Sequence, residues 1–143
     1  MGLFLFYINN IYFMRLKKYK QFNESKKDKF PNIRKMEVDG FIIHLGKDAK
    51  SNDYLTFNVA DNDDLWMHVK GVPGSHVVIV VRDNIPTPEV IKKVAEIAKD
   101  NSKAKGNDKA TVVYCKRRFV SKKPGMNDGQ VMVDYKNAHE VTI

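Results

Sequence analysis

Asp64-Leu65-Trp66-Met67-His68-Val69-Lys70, followed closely by Pro73-Gly74-Ser75-His76-Val77-Val78-Ile79-Val80-Val81, is the stretch on which the fold turns. Leu65 to Val69 is apolar and aromatic and predicts a strand. Lys70-Gly71-Val72-Pro73-Gly74 carries the Gly and Pro of a turn, and His76 to Val81 is a strongly β-forming run. The two runs read as an antiparallel hairpin with a wide loop. Val77 to Val81 does not alternate with polar residues, which fits a strand buried on both faces. A helix or an arm must therefore cover its far side.

Working outward, Gly40-Phe41-Ile42-Ile43-His44-Leu45-Gly46 is a strand between two glycines. Lys47 to Asp53 reads as a loop in which Asn52 or Ser51 caps a short helical turn before Tyr54-Leu55. Downstream, Thr87 can cap a helix, Pro88 suits its first position and Glu89 its positive end. That helix should end near Asn101. Val90, Ile91, Val94, Ile97 and Ala98 recur at helical spacing and face the core, leaving Lys92, Lys93, Glu96 and Lys99 in water. Ala110 to Tyr114 is another strand. Breaks at Pro124-Gly125 and Asn127-Asp128-Gly129 precede Val131 to Tyr135, and Val141-Thr142-Ile143 closes the sheet. The expected fold class is α+β: a single domain with a mixed, mostly antiparallel sheet and one main helix packed on it.

The chain of 143 residues has the length of one domain, and its 43% hydrophobic content builds a core without a disulfide or a structural metal. Cys115 is the only cysteine, which points to a reducing compartment such as the cytoplasm. A net charge of +8 favours polyanionic partners. The excess is concentrated in two blocks. Residues 1–36 hold nine Lys/Arg and two acids, and residues 82–125 hold twelve and five, while the segments 37–81 and 126–143 are net acidic.

The apolar opening, Gly2 to Ile8 and then Ile11-Tyr12-Phe13, is too short to span a bilayer, which needs about 20 residues, and Asn9-Asn10 interrupts it. No positive segment precedes it and no cleavage site follows. Phe6 stands where myristoylation wants Ser or Thr. Met14 is the expected start, and Lys17 to Lys35 reads as a flexible basic arm. Residues 1–36 are thus expected to be an N-terminal extension and residues 37–143 the folded domain, with membrane contact only if residues 1–13 belong to the protein.

Catalytic signatures are missing. His44, His68, His76, His139 and Cys115 show no paired zinc spacing. Ser75 and His76, adjacent on a strand, point to opposite faces and make no nucleophile–base pair. Asp61, Asp63 and Asp64 lack the later Glu of a calcium loop and read as a capped turn. Neither a Walker loop nor a dinucleotide fingerprint is present, so no enzyme, cofactor, metal or small-molecule substrate is expected.

Binding residues are easier to nominate. Lys116, Arg117 and Arg118 follow a strand, with Lys122 and Lys123 shortly after, so one loop can bring several cations to a phosphate backbone. Arg can also fork onto phosphate or stack on a base. A merely solvated loop is the competing reading. Lys103 and Lys105 are second candidates on the same ground. Phe119, ringed by cations, is the stacking candidate, whereas Trp66 between Leu65 and Met67 reads as core. His68 and His76 bracket the turn; with Lys70 and Ser75 they can donate to phosphate or ribose oxygens, or they are sheet histidines satisfied by backbone.

Three of these stretches together resemble the NFACT-R domain, the RNA-binding module of the NEMF and RqcH group of ribosome quality-control factors. They are Gly40 to Lys47 with Asn52-Asp53; Asp64 to Lys70 leading into Pro73 to Ile79; and Val112-Val113-Tyr114 with Val120, Lys122-Lys123-Pro124-Gly125 and Gly129-Gln130-Val131. The match runs in order from about Val38 to Ile143. Histidines stand at both positions of the family pattern, which favours a functional role or a fixed hairpin geometry for His68 and His76. The resemblance implies contact with RNA, either tRNA or rRNA, and with the ribosome. The chain has no room for the other domains of the large family members, so a stand-alone copy is expected, and the resemblance does not extend to the tailing activity, which depends on those domains. Two other readings stay open. One is a protein-interaction adaptor docking on ribosome-associated factors. The other is DNA binding, because phosphate contacts alone do not tell the polymers apart.

Overall fold

In the computed structural model, which describes residues 29–143, the hairpin forms as β3 (Leu65–Val69) and β4 (Val77–Ile79), paired antiparallel with Leu65 opposite Ile79. Before it come β1 (Ile33–Val38), β2 (Phe41–Gly46), α1 (Ala49–Tyr54) and a π-helical turn (Leu55–Val59). After it come α2 (Pro88–Asp100), β5 (Thr111–Lys116), a 3₁₀ turn (Arg117–Phe119), β6 (Val120–Ser121), β7 (Met132–Val133), a second 3₁₀ turn (Tyr135–Asn137) and β8 (His139–Thr142). Among the described residues the main sheet has six strands in the order β1-β2-β4-β3-β5-β8, all paired antiparallel, and β6 and β7 form a separate two-stranded ribbon. This is the α+β class expected from the sequence.

Val77, Val78 and Ile79 are fully buried because β4 lies in the interior of the sheet with both faces covered. On one face α2 lays Val90, Val94, Ala95 and Ala98 over Ile43, Leu45, Met67, Val69, Val77, Ile79 and Val112. Alternation along the strands sends Trp66, Val78, Val113 and Cys115 to the other face, where Leu55 and Val120 cover them. Helix α2 begins as expected: the Thr87 hydroxyl accepts from the Val90 amide at 3.2 Å, with Pro88 in the first turn.

The second face departs from expectation. Its cover comes from α1, the π turn and the segment around β6 and β7. Asp48, not Ser51 or Asn52, caps α1, its carboxylate accepting from the Ser51 amide at 2.7 Å. Ser51 and Asn52 are buried inside the helix, where the Ser51 hydroxyl accepts from the Asn32 amide at 2.7 Å. Of Val131 to Tyr135 only Met132 and Val133 pair as a strand.

The expected boundary between residues 36 and 37 falls inside β1. The compact unit runs from Pro31 to Ile143, and Ile33 to Val38 pairs with β2 residue for residue. Met36 and Val38 pack against the helix-covered core while Arg34 and Lys35 stay exposed. Those charges make the stretch read as part of a flexible arm, yet an edge strand carries them readily. The expectations about the apolar opening, the Met14 start and the arm before residue 29 lie outside the described residues.

Candidate nucleic-acid interface

The Lys70–His76 turn forms one wall of an open groove of about 980 Å³. The other walls are the start of α1, the C-terminal end of α2 and the Met126–Val131 loop, and Trp66, His68 and Val113 line the floor. Backbone contacts sew the turn to α2. The Ser75 amide donates to Asn101 O at 3.0 Å, and the Lys103 amide donates to Pro73 O at 2.9 Å. Gly74 and Ser102 meet in an isolated bridge so close that a Cβ on Gly74 would lie 2.6 Å from that of Ser102.

Asn52 clamps the same turn from α1. Its Oδ1 accepts from the His76 amide at 3.0 Å, and its Nδ2 donates to Gly74 O at 3.5 Å. Gly46 leaves room for it, since a Cβ there would sit 2.0 Å from Asn52 Oδ1. The sequence marks Asn52 only as a helix cap or as part of the family resemblance, because its partners are some two dozen residues away.

His76 is 1% exposed and saturated with hydrogen bonds. Trp66 Nε1 donates to Thr56 Oγ1 at 3.1 Å, Thr56 Oγ1 lies 2.8 Å from His76 Nδ1, and His76 Nε2 lies 3.1 Å from Gly129 O. One consistent proton arrangement has the Thr56 hydroxyl donating to Nδ1 and Nε2–H donating to the carbonyl. Burial, reinforced by His68, pushes the His76 pKa down to about 4. The His68 ring stacks on Trp66 at 6.0 Å and meets His76 edge-on at 5.5 Å, and burial lowers its pKa as well. Neither imidazole is therefore a cation for phosphate at neutral pH. The structure gives His76 the structural role that the sequence leaves open. His68 and the nearly buried Ser75 both line the groove, and among the described residues nothing engages the Ser75 hydroxyl.

The first part of the basic loop, Lys116 to Arg118, is separated from this turn. Lys116 pairs with Leu65, and Val112 pairs with Val69, so Lys116-Arg117-Arg118 and Lys70 lie at opposite ends of the β3–β5 ladder, on the order of 15 Å apart. Of the loop's cations, Lys116, Arg117 and Arg118 therefore do not adjoin the turn, whereas Lys122 lies beside it. Arg117 serves the fold: its Nε donates to Thr56 O at 2.7 Å and its guanidinium lies 4.9 Å from the Phe57 ring centroid. Arg118 and, at 3.9 Å, Lys116 pair with Asp63, all three side chains remaining well exposed. Phe119 is half-buried and packs against the second core cluster, so that only part of its ring is accessible.

Lys122 is also occupied, reaching Asp53 Oδ2 at 2.9 Å and the carbonyls of Asn127 and Gln130 at 2.6 and 2.8 Å, so that it ties the loop wall to α1. Lys123, Lys103 and Lys105 are exposed, and no partner holds their ammonium groups among the described residues. Lys70 pairs with Glu140 at 2.6 Å, and its Nζ stands 5.6 Å from the Tyr135 ring centroid; the hydrogen bond to Glu140 raises its pKa. Tyr135 lines the groove while 58% exposed, and Lys47 lines it opposite, held by Asn101 at 3.1 Å. Sequence reading misses both residues. Tyr135 lies 65 positions from Lys70 in the chain, and no local pattern marks it.

Residues 29–135 match the family model described as the NFACT protein RNA binding domain. The chain is similar to the Rqc2 homolog RqcH of Bacillus subtilis, 42% identical over 106 residues, which is 74% of this chain and 18% of that protein. The Rqc2 homolog RqcH of Streptococcus suis is 40% identical over 100 residues, 68% of this chain and again 18% of that protein. This chain therefore spans about a fifth of the length of these curated relatives. Among solved structures, the C-terminal part of the fibronectin/fibrinogen-binding protein from Streptococcus suis superposes with a TM-score of 0.71 at 34% identity, covering 82% of this chain and 46% of that one.

Proposed function

Because this chain belongs to the family of NFACT protein RNA-binding domains, we propose that it binds RNA, either tRNA or rRNA, without catalysing a reaction on it. The RqcH relatives support a setting in ribosome-associated quality control. The observation that carries the reading is the set of exposed cations around the groove and along its outer wall. Lys103 and Lys105 lie beyond α2 and Lys123 in the segment before the Met126–Val131 loop, and no partner holds their ammonium groups among the described residues.

Lys116 and Arg118 extend this set at the far end of the β3–β5 ladder. Their pairing with Asp63 is exposed and costs little to exchange for a phosphate oxygen. Affinity then comes from release of counterions on phosphate contact. The test is binding of the full chain to tRNA, rRNA fragments and duplex DNA across a salt series. Charge reversal at Lys103, Lys105 or Lys123 is expected to weaken binding to all RNA sequences and to flatten the salt slope by about one for each cation reversed. Binding indifferent to salt would sink the proposal. Arg117 is left intact in this test because its loss would damage the fold.

A second reading, docking on a protein partner, is favoured by the name of the superposed Streptococcus suis protein, fibronectin/fibrinogen-binding protein. Retention of one protein partner after nuclease treatment, with no RNA affinity in the salt series, would select it.

A further inference from the structure

The groove itself is not built as a phosphate track. Lys47, Lys70 and Lys103 line it, but so do Asp48, Asp100 and Asp128, and the charges balance. Two of the lysines are already held, Lys70 by Glu140 and Lys47 by Asn101. What the groove offers is suited to an uncharged, flat, hydrogen-bonding group. Tyr135 is an aromatic ring more than half exposed at its edge, whereas Trp66 and Phe119 are taken up by the core. In the turn wall, the Ser75 hydroxyl has no partner among the described residues, while on the floor the His68 ring lies against Trp66 and is engaged by the backbone of Gly74 and Val69.

We propose that this groove holds one unpaired nucleobase of the bound RNA, stacked on Tyr135 with its edge directed to the Ser75 hydroxyl, above the floor that His68 and Trp66 form. The inference rests on the RNA-binding reading and narrows the ligand class from RNA in general to RNA with an unstacked base. In a duplex the base faces are covered by their neighbours, so an aromatic ring at a groove edge finds nothing to stack on; in a loop or bulge they are open. A volume of about 980 Å³ admits a nucleoside together with its flanking backbone. Phosphates on either side would then meet the exposed lysines outside the groove, which divides the work between base recognition within and charge neutralisation around it.

The experiment uses the full chain, a hairpin RNA carrying 2-aminopurine at one unpaired loop position, and a blunt duplex of the same composition. Wild type should bind the hairpin more tightly and quench the fluorophore. Tyr135→Ala should lose the quenching and weaken hairpin binding roughly tenfold or more, with duplex binding and the salt slope unchanged. Tyr135→Phe should restore both signals. Because Tyr135 is exposed, circular dichroism should show all three proteins equally folded. Hairpin affinity and quenching unchanged in Tyr135→Ala would overturn the base site and leave the RNA-binding reading standing. Equal loss on hairpin and duplex would also overturn it, since that is the behaviour of a general contact. Failure of wild type to bind either RNA at low salt would instead remove the RNA-binding reading, and this inference with it.

Discussion

His76 shows how one buried side chain couples the core to the groove. Its ring sits between Thr56 and Gly129 in a neutral form, with a pKa of about 4 against an ordinary value of 6.5. As pH falls below 6.5 the unfolded chain takes up a proton that the folded chain resists until about 4, so the contribution to stability is complete above 6.5 and is lost progressively down to about 4. The stability difference between wild type and His76→Gln, followed by urea denaturation from pH 7.5 to 4, should shrink by on the order of 3 kcal/mol. A constant difference would show that the ring does not titrate this way. Gly46 acts through space alone. With a Cβ 2.0 Å from Asn52 Oδ1, Gly46→Ala must displace the clamp on the turn, and a loss of about 2 kcal/mol in the same assay is expected.

The elements that cover the second face are held from outside themselves. Helix α1 has six residues and the π turn five, too short to persist without tertiary contacts. Arg117 supplies one such contact through Thr56 O and Phe57, and Lys122 another through Asp53. Arg117→Ala should therefore destabilise the domain by about 2 kcal/mol and raise amide exchange at Leu55 to Ala60. Arg118→Ala, which removes only an exposed pair with Asp63, should cost less than about 0.5 kcal/mol. If the two variants were equally stable, Arg117 would return to the set of free phosphate-binding cations.

For the whole molecule, charge matters more through its placement than through its total. The block from Arg82 to Gly125 carries the excess of the described part, and the fold spreads it over the end of α2, the far end of β5 and the loop beyond β6. Such a distribution predicts a steep salt dependence built from separate small contributions, with Lys103→Glu and Lys123→Glu adding nearly independently in their effect on log affinity. Strong coupling between them would mean that they share one phosphate.

The sequence by itself determined the class of the fold, the hairpin at its centre and the family. Each rests on local chemistry: an unbroken β-branched run, a Thr-Pro helix start, and glycines and prolines that set turns wherever they fall. It also placed Trp66 in the core, because an indole between Leu65 and Met67 has few other places to go. Tertiary structure alone decided which cations are free and which are spent, since the sequence neighbours Lys122 and Lys123 differ only in what lies opposite them. It likewise recruited Ile33 to Lys35 into the sheet by offering them the free edge of β2. The groove could not be read from local pattern, because its walls come from stretches of chain as far apart as Asp48 and Tyr135, brought together only when both faces of the sheet are covered.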